Sequence, residues 1–89
     1  KLIKLIYQDY DAKKVSEKSK DAYEKLAKLG LENISISEPQ KSFVSNVRGR
    51  HREQIILKFR DGNVSQEARR ALEDLPSGWL IDVDPISLI

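Results

Sequence analysis

The first third of the chain changes from a strand-like to a helix-like spacing of apolar residues. Residues 2–8 are mainly apolar and partly β-branched, which predicts a strand covered on much of both faces. From the candidate N-cap Asp11 onward the spacing is helical, with Ser19 in a gap of the apolar stripe. The stripe consists of Val15, Ala22, Leu26 and Leu29. Gly30 is predicted to end the helix, because glycine adopts the left-handed conformation without a Cβ penalty.

The remainder contains two further strand patterns, a polar connection, a helix and a last strand. Residues 31–38 alternate, which predicts a half-buried strand that Pro39 ends. Residues 40–51 are polar and basic with little periodicity, and we interpret them as a long exposed hairpin connection. Residues 52–60 and 79–84 are predicted strands. Between them, a helix capped by Asn63 has a predicted inner face of Val64, Ala68, Ala71, Leu72 and Leu75.

The order β-α-β-β-α-β predicts an α+β fold in a single domain over residues 1–89. Two helices on one face of a four-stranded antiparallel sheet make a two-layer, ferredoxin-like sandwich, here with a long basic hairpin loop between the second and third strands. The expected core comprises Leu5, Leu26, Leu29, Ile34, Ile36, Ile56, Leu72, Leu75, Ile81 and Val83.

Composition limits which covalent links, metal sites and cellular locations are expected for this domain. The 89 residues include no cysteine, which removes disulfides and thiolate metal sites and fits a cytoplasmic location. No apolar run approaches the roughly 20 residues needed to span a bilayer, so we expect no membrane partner. Because Lys1 already stands on a predicted strand, we expect a domain excised from a larger chain.

Charge is distributed unevenly along the sequence. The net charge is only +2, but residues 41–60 carry six Lys or Arg against one Glu. Residues 61–89 instead carry two arginines against six acids. A basic middle between near-neutral and acidic flanks indicates an anionic partner.

The basic segment contains the most specific candidate chemistry. Three arginines within five residues flank Gly49 and the single histidine. Guanidinium groups stay charged and match phosphate oxygens in a planar fork, and glycine allows close backbone approach. The candidate binding residues are Lys41, Arg48, Gly49, Arg50, His51, Arg52 and Lys58. The alternative is an ordinary solvated loop.

Other possible sites are weaker. His51 could be a pH switch or metal ligand, but a lone exposed histidine explains it as well. Asp82 and Asp84 share one strand face and could bind Mg²⁺, or simply point outward and pair with Arg52 or Lys58. The six aromatic residues are expected in the core or as loop anchors, and Phe43 is the one inside the connection of residues 40–51.

An enzymatic alternative can be stated from the layout. Acylphosphatases share the β-α-β-β-α-β order, but their glycine-rich phosphate loop would fall at residues 8–11, which read Gln-Asp-Tyr-Asp. Two aspartates there would repel a phosphate. No Ser-His, Cys-His or other catalytic set is present in the sequence, so we expect no enzymatic activity from this chain.

Two motifs resemble a known family. Residues 48–58, Arg-Gly-Arg-His-Arg-Glu-Gln-Ile-Ile-Leu-Lys, are similar to the central signature of the C-terminal domain of primosomal protein N′. Residues 81–85, Ile-Asp-Val-Asp-Pro, resemble that family's terminal strand, and Pro39 stands where its loop opens. The chain departs from the family at His51, where an aromatic residue is usual, and at Lys41 and Phe43, where a proline-rich stretch is usual.

The resemblance implies a bacterial, cytoplasmic, ATP-dependent DNA helicase that restarts replication. Its ATP, Mg²⁺ and Zn²⁺ sites would lie in other domains, with no cofactor in these residues. The C-terminal domain of this family looks like a small ribosomal-subunit protein with a basic hairpin. Its implied partners are branched or single-stranded DNA, the acidic tail of single-stranded DNA-binding protein, and the other helicase domains. Fixed arginines suit either anionic partner.

Overall fold

The computed structural model describes residues 2–31, 33–47, 49–60 and 64–83, with residues 42–47 described by their backbone alone. This part of the chain forms one antiparallel sheet and two helices, which confirms the predicted α+β class. In chain order the elements are β1 (Leu2–Asp9), α1 (Ala12–Lys28), β2 (Ile34–Ile36), β3 (Gln40–Val47), β4 (Arg50–Phe59), α2 (Gln66–Glu73) and β5 (Trp79–Val83).

The strand order is β2-β4-β1-β5, and β3 also pairs with β4. At the centre of the sheet Leu5 stands between Ile55 of β4 and Ile81 of β5. The strands β2 and β3 follow one another along the same edge of β4. Ile36 of β2 lies opposite Leu57, and Gln40 of β3 lies opposite Gln54. The strand β4 is therefore paired on both sides along nearly its whole length, which makes it a rigid support for the side chains it carries.

The interpretation of residues 40–51 as a loop is wrong for most of that segment. The residues Gln40–Val47 form β3, and β4 begins at Arg50, so this connection is a two-stranded hairpin with a tight turn. An edge strand has a sheet neighbour on one side alone and buries little surface. Such a strand can form from polar residues, so the sequence shows no alternation of apolar and polar positions by which it could be predicted. Its pairing is irregular: Lys41 lies opposite Glu53 and Asn46 opposite His51, which leaves residues 42–45 facing one residue of β4.

The helix boundaries follow local capping chemistry. The Asp11 carboxylate accepts hydrogen bonds from the backbone N–H groups of Lys13 (3.0 Å) and Lys14 (3.4 Å), which confirms the predicted N-cap of α1. Gly30 follows the end of α1 at φ +59°, the left-handed conformation expected for a helix stop. For α2 the cap is Ser65, whose hydroxyl accepts from the Ala68 N–H at 3.1 Å. The prediction of Asn63 as this cap is therefore wrong, and Asn63 itself lies outside the described residues.

Both helices pack on the sheet face that carries the odd-numbered residues of β1 and β4, here called the helix face. The buried residues in this core cluster are Ile3, Leu5, Ala22, Leu26, Ile55, Leu57, Phe59, Ala68, Ala71 and Leu72. Ile34, Ile36 and Leu75 are partly buried against it. Ile56, predicted for the core, instead lies on the opposite face, because Ile55 and Leu57 take the inward positions of the alternating strand.

Three residues expected in the core are instead nearly half exposed. Leu29 is 49% exposed at the C-terminal end of α1, Ile81 is 46% exposed and Val83 is 49% exposed on β5. The strand β5 is an edge strand, so its helix-face residues reach beyond the surface that the two helices cover. Among the described helices, none has the length and apolar character needed to cross a membrane.

Candidate nucleic-acid interface

The tip of the β3–β4 hairpin is formed by a very short turn. Val47 of β3 and Arg50 of β4 are the last paired residues, and they are only three positions apart in the sequence. Gly49 has φ +81°, a value that side-chain-bearing residues rarely adopt, which explains why a glycine stands between the arginines. The predicted contact residue Arg48 lies outside the described residues.

Strand alternation sorts the predicted binding residues onto two faces. Arg50, Arg52 and Lys58 occupy even positions of β4 and therefore share the sheet face away from the helices, called the far face. On the helix face, His51 lies opposite Asp9, and Lys41 lies opposite Glu53. Both side chains thus lie opposite carboxylates, whereas Arg50 and Arg52 on the far face lie opposite Val47 and Gln8. The excess positive charge of the hairpin is therefore concentrated on the far face.

The cations of the far face do not form one continuous stripe. Arg50 and Lys58 are exposed at the two ends of β4, about 27 Å apart at 3.4 Å per residue. Between them the far face is buried at Lys4, Ile6 and Gln54. The structure therefore brings Arg50 and Arg52 together at the hairpin end and leaves Lys58 as a separate charge.

Arg52 is more buried than Arg50. The residue is half-buried, and its Nε is buried with no hydrogen-bond partner among the described residues. It lies opposite Gln8 of β1 and, on its other side, faces the irregular stretch of β3 between Lys41 and Asn46. Because a guanidinium remains charged at any relevant pH, a cation fixed in this position favours an anionic group nearby.

Sequence reasoning missed one residue of this region. Tyr10, which directly follows β1, is 65% exposed, and its ring lies 5.3 Å from the Arg50 guanidinium carbon. The same ring borders Gly49, since a Cβ built on that glycine would stand 3.8 Å from the Tyr10 Cδ1. Forty positions separate Tyr10 from Arg50, and no local pattern reveals such a contact; the β1–β4 pairing, which ends at Asp9 and His51, creates it.

Two aspartates flank Tyr10, and α1 engages both. The Asp9 carboxylate accepts a hydrogen bond from the Asp11 N–H at 3.0 Å and lies 3.6 Å from the Lys14 ammonium. These contacts lower the pKa of Asp9 from its ordinary value, mainly through the backbone hydrogen bond. The Asp11 carboxylate caps α1, so both negative charges lie against the positive end of a helix.

The remaining candidate residues do not converge. Asp82 lies opposite Lys4 on the far face rather than opposite Arg52 or Lys58, and Asp84 lies outside the described residues. Within the described part of the chain no three His, Cys, Asp or Glu residues are grouped as metal ligands would be. The Phe43 side chain is also outside the described part.

A groove of about 940 Å³ lies at the other end of the molecule, between the C-terminal end of α1 and α2. Its lining mixes Lys25 and Arg70 with Glu67 and Asp74, alongside the exposed Leu29. The opposing charges give this groove no preference for an anion, in contrast to the hairpin end.

No protein-family model and no curated protein matches this sequence.

Proposed function

We propose that this chain is a non-catalytic DNA-binding domain that contacts phosphates of branched or single-stranded DNA through the end of its β3–β4 hairpin. The observation that carries the proposal is the position of Arg50 and Arg52 on one sheet face beside the tight turn at Gly49. We assign Arg48 to the same contact from its place in the sequence. His51 and Lys41 have secondary roles, because carboxylates stand opposite them.

Phosphate is an anion that this arrangement of arginines can bind. Arginine forks make bidentate hydrogen bonds to phosphate oxygens, and a paired strand holds the arginines at fixed spacing. Contacts to phosphate carry no base information, so we propose that binding follows the shape of the nucleic-acid backbone rather than its sequence.

The similarity of residues 48–58 to the C-terminal domain of primosomal protein N′ supports the same proposal. The strand order β2-β4-β1-β5 has the split β-α-β connectivity of ferredoxin-like folds, with β3 as an added hairpin arm. We therefore propose that the chain belongs to a bacterial, cytoplasmic replication-restart helicase. ATP, Mg²⁺ and Zn²⁺ would act in its other domains.

The test is binding of the domain to a fluorescent three-way fork by anisotropy across a salt series. We expect Arg50→Glu to weaken binding by at least tenfold and to flatten the dependence of log K on log salt by about one unit, since each neutralised phosphate contributes about 0.9. Lys58→Glu is the matched control, because it makes the same charge change on the same strand and face about 27 Å away. Equal effects of the two substitutions would show that net charge, not the hairpin end, governs binding.

A second function is favoured by the apolar edge of the sheet. Leu80, Ile81 and Val83 on β5 are each nearly half exposed, and such a strand edge suits contact with another protein surface. The domain would then dock against neighbouring helicase domains and hold the acidic tail of single-stranded DNA-binding protein with its arginines. Competition separates the two: a tail peptide that uses Arg50 must displace the fork, whereas simultaneous binding excludes a shared site.

A further inference from the structure

Tyr10 is an aromatic residue that the core does not use. Tyr7 and Phe59 are buried, and Tyr23 and Trp79 are packed partly against the core, with the Tyr7 and Trp79 rings in contact at 5.3 Å. Tyr10 instead remains 65% exposed. An exposed aromatic ring at a basic hairpin is a surface on which a flat, unpaired base can stack.

The hairpin lies against one side of this ring. The Arg50 guanidinium lies within the range of cation–π attraction, about 6 Å, and the Gly49 backbone borders the ring edge. Because the Tyr10 residue is 65% exposed, these contacts leave part of its side chain accessible to a ligand. Holding the ring in advance reduces the entropy that a ligand would otherwise lose in ordering it.

The charge around the ring suits a nucleotide. Arg50 places a permanent cation beside the ring. The carboxylates of Asp9 and Asp11 keep their negative charge, but both are directed to the start of α1, where backbone N–H groups bond them and the Lys14 ammonium lies 3.6 Å from Asp9. A base on Tyr10 would thus have its phosphate within reach of Arg50 and Arg52. This combination of a stacking ring and adjacent cations is typical of single-strand binding surfaces.

We propose that Tyr10 is a stacking residue for an unpaired base, so that the hairpin end binds single-stranded nucleic acid in preference to duplex. The inference rests on the proposed function and adds to it the class of ligand: a strand with accessible bases. A fully paired duplex offers its phosphates to the arginines but keeps its bases inside the helical stack, and therefore cannot use Tyr10.

The experiment compares three fluorescent ligands of about ten nucleotides: oligothymidylate, the same backbone with abasic spacers, and a blunt duplex. Tyr10→Ala is expected to lower the affinity for oligothymidylate by about tenfold, within the range that loss of one base–aromatic stack gives. The affinities of Tyr10→Ala for the abasic strand and for the duplex should stay within about twofold of the wild-type values. The dependence of log K on log salt should be unchanged for all three ligands. Tyr10→Phe, which keeps the ring, should bind like the wild type. Leu29→Ala, which removes an exposed apolar side chain at the far end of α1, is the matched control.

The outcomes separate this inference from the proposed function. Equal binding of oligothymidylate and the abasic strand by the wild type, with a steep salt dependence, would overturn the stacking role and leave phosphate contact intact. A loss in Tyr10→Ala that is equal for all three ligands would also overturn it, since it would mean a disturbed hairpin. No binding of any ligand at low salt would overturn both proposals. Oligouridylate serves as the RNA counterpart: tighter binding of it than of oligothymidylate would refute DNA as the source of the base.

Discussion

Ser37 offers a sharp test of how the hairpin is attached to the sheet. At the junction of β2 and β3, the Ile56 N–H donates to the Ser37 hydroxyl oxygen at 2.8 Å, while the Ser37 N–H donates back to the Ile56 carbonyl at 2.9 Å. A side-chain oxygen thus takes the place that a backbone carbonyl fills in a regular ladder. This substitution lets the edge strand shift its register between Ile36 opposite Leu57 and Gln40 opposite Gln54.

The expected perturbation is Ser37→Ala, which leaves the Ile56 N–H in the middle of β4 without its acceptor. An unsatisfied buried donor costs about 1–3 kcal/mol. Because this bond is partly buried, we expect about 1.5 kcal/mol. For a domain of this size that corresponds to a fall in Tm of about 6–12 °C.

Urea unfolding followed by Trp79 fluorescence measures this change, and hydrogen exchange of the Ile56 amide reports the bond directly. The denaturant slope should stay constant, since the surface exposed on unfolding does not change. Ser35→Ala, at an exposed position of β2 two residues away, should remain within about 0.5 kcal/mol of the wild type. An Ile56 amide that exchanges equally slowly in Ser37→Ala, with unchanged stability, would refute this account of the junction.

Two further results are expected. Gly78→Ala should destabilise the domain by about 1–3 kcal/mol in the same urea assay, because φ is +103° there and the new Cβ would stand 3.1 Å from the Tyr7 ring. Gly30→Ala is the control and should destabilise the domain less, because φ is +59° and no atom lies within 4 Å of the new Cβ. A larger loss of stability in Gly30→Ala than in Gly78→Ala would contradict the steric argument. The pKa of Asp9 is lowered by folding, so its carboxylate contributes stability above the ordinary pKa of 3.8 that is lost as the pH falls through the folded-state pKa. Stability curves of wild type and Asp9→Asn should therefore differ above about pH 4 and converge below it, whereas parallel curves across that range would exclude this role.

Local chemistry made several features predictable and left others hidden. The N-cap at Asp11 and the helix stop at Gly30 depend on a few neighbouring atoms, so the sequence predicts both. The face of β4 was not predictable, because three consecutive apolar residues, 55–57, fit either alternation until β1 selects Ile55 and Leu57 for the core.

In the β3–β4 hairpin, too, some features could be predicted from the local sequence and others could not. The cluster of arginines is visible in the sequence, but the polar edge strand β3 is not, because its stability comes from pairing with β4 rather than from burial. The sorting of cations by face and the approach of Tyr10 to Arg50 arise from the register between distant segments. Composition therefore indicates an anionic partner, and register determines which cations can act together.

The contact between Tyr10 and the hairpin tip also ties ligand binding to folding. Its two sides come from segments forty positions apart, joined through the full length of the β1–β4 ladder, so the unfolded chain cannot assemble them. A ligand that requires both sides binds the native state alone and stabilises it by mass action, by about 2.7 kcal/mol at a hundredfold excess over its Kd. Thermal melting at rising ligand concentration would then serve as a binding assay, and a short strand would protect the whole sheet against unfolding.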